Sequence, residues 1–266
     1  MERRIRKNDE VKKITFEILK FFDKFCEENE LRYSLAYGTL LGAERHKGYI
    51  PWDDDIDVIM PRKDYEKLIK LSDSWNGQYK FICTEKTMDY NMPFGKIVDT
   101  NTYVKNQGKV HIEDLGLFID VFAADGIGNT KLMSICRVLY MYWLTCHLLD
   151  TLFNGAEKYK GIRRFIQKKF DKLGCKKIYT IMKKLTIRHD FYKTKYVVVF
   201  GESNHIRGIF RREIYSELEK IPFEGQMFSA SKHRKKYLSA IYGNYMELPP
   251  KNKRIPTHNM DVWIRE

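Results

Sequence analysis

Cysteine is scarce in this 266-residue chain: five residues, at positions 26, 83, 136, 146 and 175, an odd number with no Cys-x-x-Cys pair. That argues against a disulfide framework and against structural zinc, and it points to a reducing compartment. An apolar segment behind the basic start is also missing. Arg3, Arg4, Arg6 and Lys7 run straight into Asn8-Asp9-Glu10, so no secretory leader is expected and a cytoplasmic location is predicted, reaching at most the inner face of the cell membrane. Long hydrophobic runs are missing as well, save Leu132 to Phe153, which Arg137, His147 and Asp150 interrupt. At mid-bilayer Arg137 and Asp150 would each cost about 2.5 to 3.5 kcal/mol, and Tyr140, Tyr142 and Trp143 sit centrally rather than at the ends, so a core or interfacial helix is predicted rather than a span.

Acidic residues are outnumbered, 35 Asp and Glu against 48 Lys and Arg, for a net charge of +13. The excess is local. Residues 158–188 hold twelve Lys or Arg and one acid, Asp171, a net of +11. Ile162, Phe165, Ile166, Phe170 and Leu173 fit one helical face, Gly174 interrupts, and Ile178, Ile181, Met182 and Leu185 fit a second, which predicts two basic amphipathic helices. Such helices lie on an anionic membrane, grip a polyanionic acceptor, or pack inward with their charges in water. Phe and Tyr are interleaved with the charges, but no nucleic-acid motif accompanies them, so nucleic acid is not the expected partner.

The acids that are present crowd together at Asp53-Asp54-Asp55-Ile56-Asp57. Carboxylates this close resist ionising together unless water or a cation compensates, so the stretch is either a solvated turn or a metal site. Residues 55–60 read as a strand, whose alternation would put Asp53, Asp55 and Asp57 on one side and leave Asp54 on the other. Upstream, residues 31–37 read as a strand leading into Gly38-Thr39 and a short helix over residues 40–45. A strand, a Gly-Thr turn and a helix N-terminus present N–H groups to a phosphate. A helix over residues 10–28, a second over 63–72, and strands over 81–83, 94–98, 102–104 and 115–122 complete the first half. Lys96 lies on one of these strands.

The stretches Tyr37-Gly38-Thr39-Leu40-Leu41-Gly42-Ala43, Arg45 to Val58 and Met60-Pro61-Arg62-Lys63-Asp64-Tyr65-Glu66 resemble the LicD family, which includes bacterial phosphocholine transferases and, more distantly, the fukutin-related proteins. The resemblance implies an α+β chain of nucleotidyltransferase-like fold: a mixed sheet flanked by helices, followed by a basic helical C-terminal half. It suggests a catalytic core over residues 1–126 and a mainly helical region over 127–266, which one continuous domain could also contain. The family's third carboxylate maps to Asp120 in the apolar strand 115–122. A proline common in the family is absent from Ala123-Ala124-Asp125-Gly126, a departure expected to touch a turn. Tyr237 to Met246, Leu248-Pro249-Pro250, Arg254 and His258 resemble the closing segment, with His258 a late candidate for closing the site.

By that resemblance, a phosphorylated alcohol, typically phosphocholine, passes from a CDP-linked donor such as CDP-choline to a sugar hydroxyl, releasing CMP. The acceptor is a cell-surface glycan (lipopolysaccharide, teichoic acid or capsule) or its lipid-linked oligosaccharide precursor. Asp55, Asp57 and Asp120 are the implied catalytic and metal-binding residues, with Asp53 as a neighbour and magnesium or manganese, two ions, as the cofactor. Gly38, Thr39, Arg45, His46, Arg62 and Lys96 are the implied substrate-binding residues. Two other readings stay open at this point: a nucleotidyltransferase that attaches the nucleotide itself, and a non-enzymatic protein whose residues 132–188 hold a membrane surface or another polyanion.

Overall fold

A computed structural model describes residues 2–5, 8–87, 90–105, 112, 115–200, 205–255 and 261–265. The first half runs β1 (Glu2–Arg4), α1 (Asn8–Glu28), β2 (Ser34–Leu35), α2 (Tyr37–His46), β3 (Asp57–Pro61), α3 (Arg62–Leu71), β4 (Tyr79–Ile82), β5 (Gly95–Asp99), β6 (Thr102–Val104) and β7 (Phe118–Gly128). Three helices follow, α4 (Lys131–Phe153), α5 (Gly161–Leu173) and α6 (Cys175–Thr186). The chain then continues through β8 (Tyr196–Val199), β9 (Phe210–Arg211), α7 (Glu213–Ser216), β10 (Leu218–Phe223), β11 (Gln226–Ser231), α8 (Arg234–Tyr242) and β12 (Val262–Arg265). The expected α+β class, with a mixed sheet flanked by helices, is what the chain adopts.

The seven-stranded sheet has the order β2-β3-β7-β5-β4, with β8 and β9 added along β7. Strand β7 is its spine. It pairs parallel with β3 and antiparallel with β5 and then β8, so a strand from beyond residue 126 belongs to the same sheet as the first half. A small antiparallel sheet, β1-β12-β6, ties the two ends of the chain together.

Helix α1 buries Thr15, Ile18, Leu19, Phe22 and Cys26, steps of three and four that make one face. It stops where Glu30 turns left-handed at φ 54° and the Leu31 N–H donates back to the Cys26 carbonyl at 2.8 Å. In the main core this face meets β2, β3, β7 and the β10–β11 hairpin, through Phe22, Val58, Ile59, Val121 and Phe228. The hairpin closes on Glu224-Gly225, both at positive φ, as a two-residue turn requires.

Three local expectations shift. The strand over 31–37 shrinks to Ser34–Leu35, because α2 already starts at Tyr37; Gly38 and Thr39 therefore sit in its first turn rather than ahead of it. The strand expected from residue 55 starts at Asp57, so Asp53 and Asp55 precede it and alternation does not place them. Ala123 to Gly126 continue β7 as buried strand where a turn was expected, since Ala124, Asp125 and Gly126 pair with β8.

Candidate active site

Three side chains line up across adjacent strands. Asp57 on β3 is the register partner of Asp120 on β7, and Asp120 is in turn the partner of Lys96 on β5. Register partners project to the same face of a sheet, so two carboxylates and one ammonium share one patch. Lys96 Nζ donates to Asp120 Oδ1 at 2.5 Å and lies over the rings of Phe94 and Phe118, at 5.1 and 3.4 Å from their centroids. Both members of this pair are largely buried.

Asp57 is buried, and its carboxyl is pushed well above the usual carboxylate range, first by burial and then by the charges of Asp55, Asp120 and Asp53, with Lys96 opposing. The structure thus brings four carboxylates into one electrostatic neighbourhood. The N-terminus of α2 closes round it. Thr39 Oγ1 accepts the Asp57 N–H at 2.9 Å, the Ala36 N–H donates to the Asp57 carbonyl at 3.0 Å, and the Asp120 N–H donates to the Ile56 carbonyl at 2.8 Å. Gly38 leaves room that a side chain would fill: a Cβ there would stand 2.5 Å from Asp53 Oδ2. Asp54 is buried.

All these donors are carboxylate oxygens, the set a hard divalent cation takes. Asp55, Asp57 and Asp53 suit such an ion in chemistry, and like-charge crowding on a buried carboxylate is what a cation relieves. Among the described residues no three His, Cys, Asp or Glu side chains are already drawn together as closely as a bound ion would hold them, and Asp120 is engaged by Lys96.

The basic residues divide. Arg45 and His46 end α2 beside Trp52, which leads into the acidic stretch: the His46 ring stands edge-on to Trp52 at 6.5 Å, and Arg254 lies 5.5 Å over the same indole. Arg45 Nε donates to His46 Nε2 at 2.9 Å, and its Nη1 donates to the Tyr245 carbonyl at 2.8 Å, fastening the closing segment to α2. Burial and the Arg254 charge lower the Arg45 pKa; burial and Arg45 lower that of His46, consistent with a neutral ring accepting at Nε2. Arg62 is placed elsewhere. Its guanidinium grips the fully buried Asp125 through two bonds, at 2.7 and 2.8 Å. Asp125 lies five residues along β7 from Asp120, hence about 16 Å away and on the opposite face. Arg62 therefore does not join the cluster. His258 lies outside the described residues.

Two supports carried no local signal. Lys12, on a helix that reads as scaffold, donates to the carbonyls of Ile50 and Pro51 at 3.2 and 3.0 Å and holds the loop before the acidic stretch. Glu224, in the hairpin turn, accepts the Tyr49 N–H at 2.9 Å. Their partners lie 38 and 175 residues away, beyond the reach of any spacing rule.

Residues 30–130 match the LicD/FKTN/FKRP nucleotidyltransferase domain, a span that contains α2, the acidic stretch, Lys96 and Asp120. Over 94% of its length the chain is 26% identical to the lipopolysaccharide cholinephosphotransferase LicD of Haemophilus influenzae, covering 96% of that protein. Uncharacterised proteins of Rickettsia prowazekii and Rickettsia typhi are each 39% identical over 49 residues, 18% of the chain, covering 18% and 16% of their own lengths.

Proposed function

The chain belongs to the LicD family of transferases, and from that premise we propose that it transfers phosphocholine from CDP-choline to a sugar hydroxyl of a lipopolysaccharide-type glycan or its lipid-linked precursor, on the cytoplasmic side of the membrane. The observation that carries this reading is the alignment of Asp57, Asp120 and Lys96 beneath the α2 N-terminus, with Asp55 and Asp53 crowding Asp57. Similarity along nearly the whole length of a cholinephosphotransferase supports the head group and the acceptor class.

In this mechanism Asp55 and Asp57, with Asp53 beside them, would hold magnesium or manganese, and Asp120 would hold a second ion or act as base. Bound there, such ions polarise the donor pyrophosphate and neutralise charge on the departing CMP. The residues do the rest. Gly38 lets the donor's phosphates approach the α2 backbone, and the N–H groups of that first turn face them. The acceptor hydroxyl attacks the phosphorus that bears choline, a new oxygen–phosphorus bond forms, and the bond to the CMP oxygen breaks. The hydroxyl proton passes to Asp120, whose carboxylate Lys96 holds in place through the bond to Oδ1. Arg45, with Arg254 across Trp52, offers positive charge to the leaving nucleotide.

The test is product identification by mass spectrometry after incubation with CDP-choline, magnesium and a lipopolysaccharide acceptor. CMP together with a phosphocholine-bearing glycan supports the reading. Pyrophosphate together with a nucleotide-bearing product overturns it in favour of nucleotidyl transfer. A thermal-shift comparison of CDP-choline with other CDP conjugates then fixes the head group.

A further inference from the structure

Helices α4, α5 and α6 form a layer with its own small core, where Met141, Leu144 and Leu148 meet Ile178 and Met182. That core uses one side of α4. The other side is apolar and open: Leu132 is 74% exposed, and Leu139, Tyr140, Tyr142 and Trp143 are exposed beside it. On α5, Ile162 and Phe165 are 80% and 61% exposed. These belong to one surface, because Tyr142 and Trp143 line a groove together with Ile162, Arg163 and Ile166. An apolar patch of this extent is rare on a protein face that meets only water.

The charge around the patch has one sign. Lys168, Lys169, Lys172, Lys176, Lys177 and Lys184 are exposed along α5 and α6, in the window of twelve cations and one acid. The cations lean over rings at this surface: Arg163 sits 3.9 Å over the half-buried Tyr159 and Lys169 4.6 Å over the exposed Phe165. Long basic side chains that cover apolar surface while keeping their heads in water suit the boundary between acyl chains and headgroups. A second copy of the chain would bring like charges together, and so is disfavoured as the occupant.

We infer that the open face of α4 and α5, rimmed by the lysines of α5 and α6, docks the protein on an anionic lipid bilayer. Helix α4 lies along the surface and does not cross it. Its inner side is packed on β7 and β8, and the charged groups within its length are engaged inside the protein: Arg137 donates to the Ile127 carbonyl and Asp150 accepts from the Tyr159 hydroxyl, both at 2.5 Å, while Lys131 is exposed at its first position. This surface lies outside the carboxylate cluster, so its fate and that of the proposed transfer reaction are separable.

Flotation of the full chain with vesicles of phosphatidylglycerol and phosphatidylcholine, against vesicles of phosphatidylcholine alone, tests this. The protein should float with the anionic vesicles at low salt, stay down with the neutral ones, and be released at high salt. Each cation removed should weaken partitioning roughly fivefold, so the double variant Lys168→Glu, Lys169→Glu should bind at least ~25-fold less. Leu132→Ser with Phe165→Ser, both at open positions, should also abolish flotation, with an unchanged circular-dichroism melt and unchanged turnover on a soluble acceptor. Protein remaining at the bottom with anionic vesicles, equal flotation on neutral vesicles, or wild-type flotation by the serine variant would each overturn the inference. So would sedimentation velocity showing a dimer that the serine variant dissociates.

Discussion

Asp57 and Asp120 stand directly opposite one another on the parallel pair β3 and β7, 63 positions apart in the chain and register partners in the sheet. Each crowds the other, and Lys96, on β5 at the far side of β7, is the cation that offsets them.

Asp57→Asn and Asp120→Asn are each expected to lower turnover by about 10²–10⁴-fold while the fold is kept. Magnesium or manganese should raise the thermal midpoint of the wild type and leave that of Asp57→Asn unmoved. Turnover near the wild-type value in either variant would remove the metal-site reading.

Lys96→Met takes the cation away from a largely buried carboxylate. A loss of about 3–5 kcal/mol in the metal-free protein is expected, partly restored by adding a divalent cation. Urea unfolding with and without magnesium measures both.

Two glycines of α2 should respond differently. Gly38→Ala pushes against the end of the Asp53 side chain, which can swing aside, so stability should change by under about 1 kcal/mol while turnover falls. Gly42→Ala drives its Cβ into the backbone carbonyl of Gly48, which has nowhere to go, and should cost about 1–3 kcal/mol despite alanine's better helix propensity.

Arg62→Met should act through folding. It strands the buried Asp125 and is expected to destabilise by about 3–5 kcal/mol, with little change in KM for the CDP-linked donor. A large rise in KM at unchanged stability would return Arg62 to the substrate.

Acid should loosen α6. Burial pushes Glu85 up, but the hydrogen bond and charge of Lys183 at 2.7 Å and the Tyr179 hydroxyl at 2.9 Å outweigh it, and its pKa falls below the ordinary glutamate value. A depressed carboxylate stabilises above the ordinary value and loses that contribution as pH falls through the lowered one. Protection factors of the α6 amides, corrected for the slower intrinsic exchange in acid, should therefore fall on acidification below about pH 4.5, and Glu85→Gln should flatten that dependence.

How much of this was legible in the residues differs from part to part. The acidic stretch and Gly38-Thr39 could be found because each is local, a charge density and a glycine-flanked turn signal, whereas Asp120 was picked out by what the family resemblance implies. The two basic helices and the break at Gly174, at φ 79°, followed from periodicity. What spacing could not supply was the pairing of Lys96 with Asp120, of Arg62 with Asp125, and of Lys12 with the loop at residue 50, because these depend on strand register and helix placement. The reason given for grouping Asp53 and Asp55 with Asp57 also failed in detail. Strand alternation does not reach them, and a loop anchored by Lys12 precedes the strand instead.

Strand β7 carries Asp120 and Asp125 on opposite faces, each matched to a cation from a different element. A slip of one residue would swap the faces and separate both pairs at once; a slip of two would keep the faces and still part them. Misregistered sheets of this sequence therefore bury two uncompensated charges, so the spine strand acts as its own proofreader during assembly.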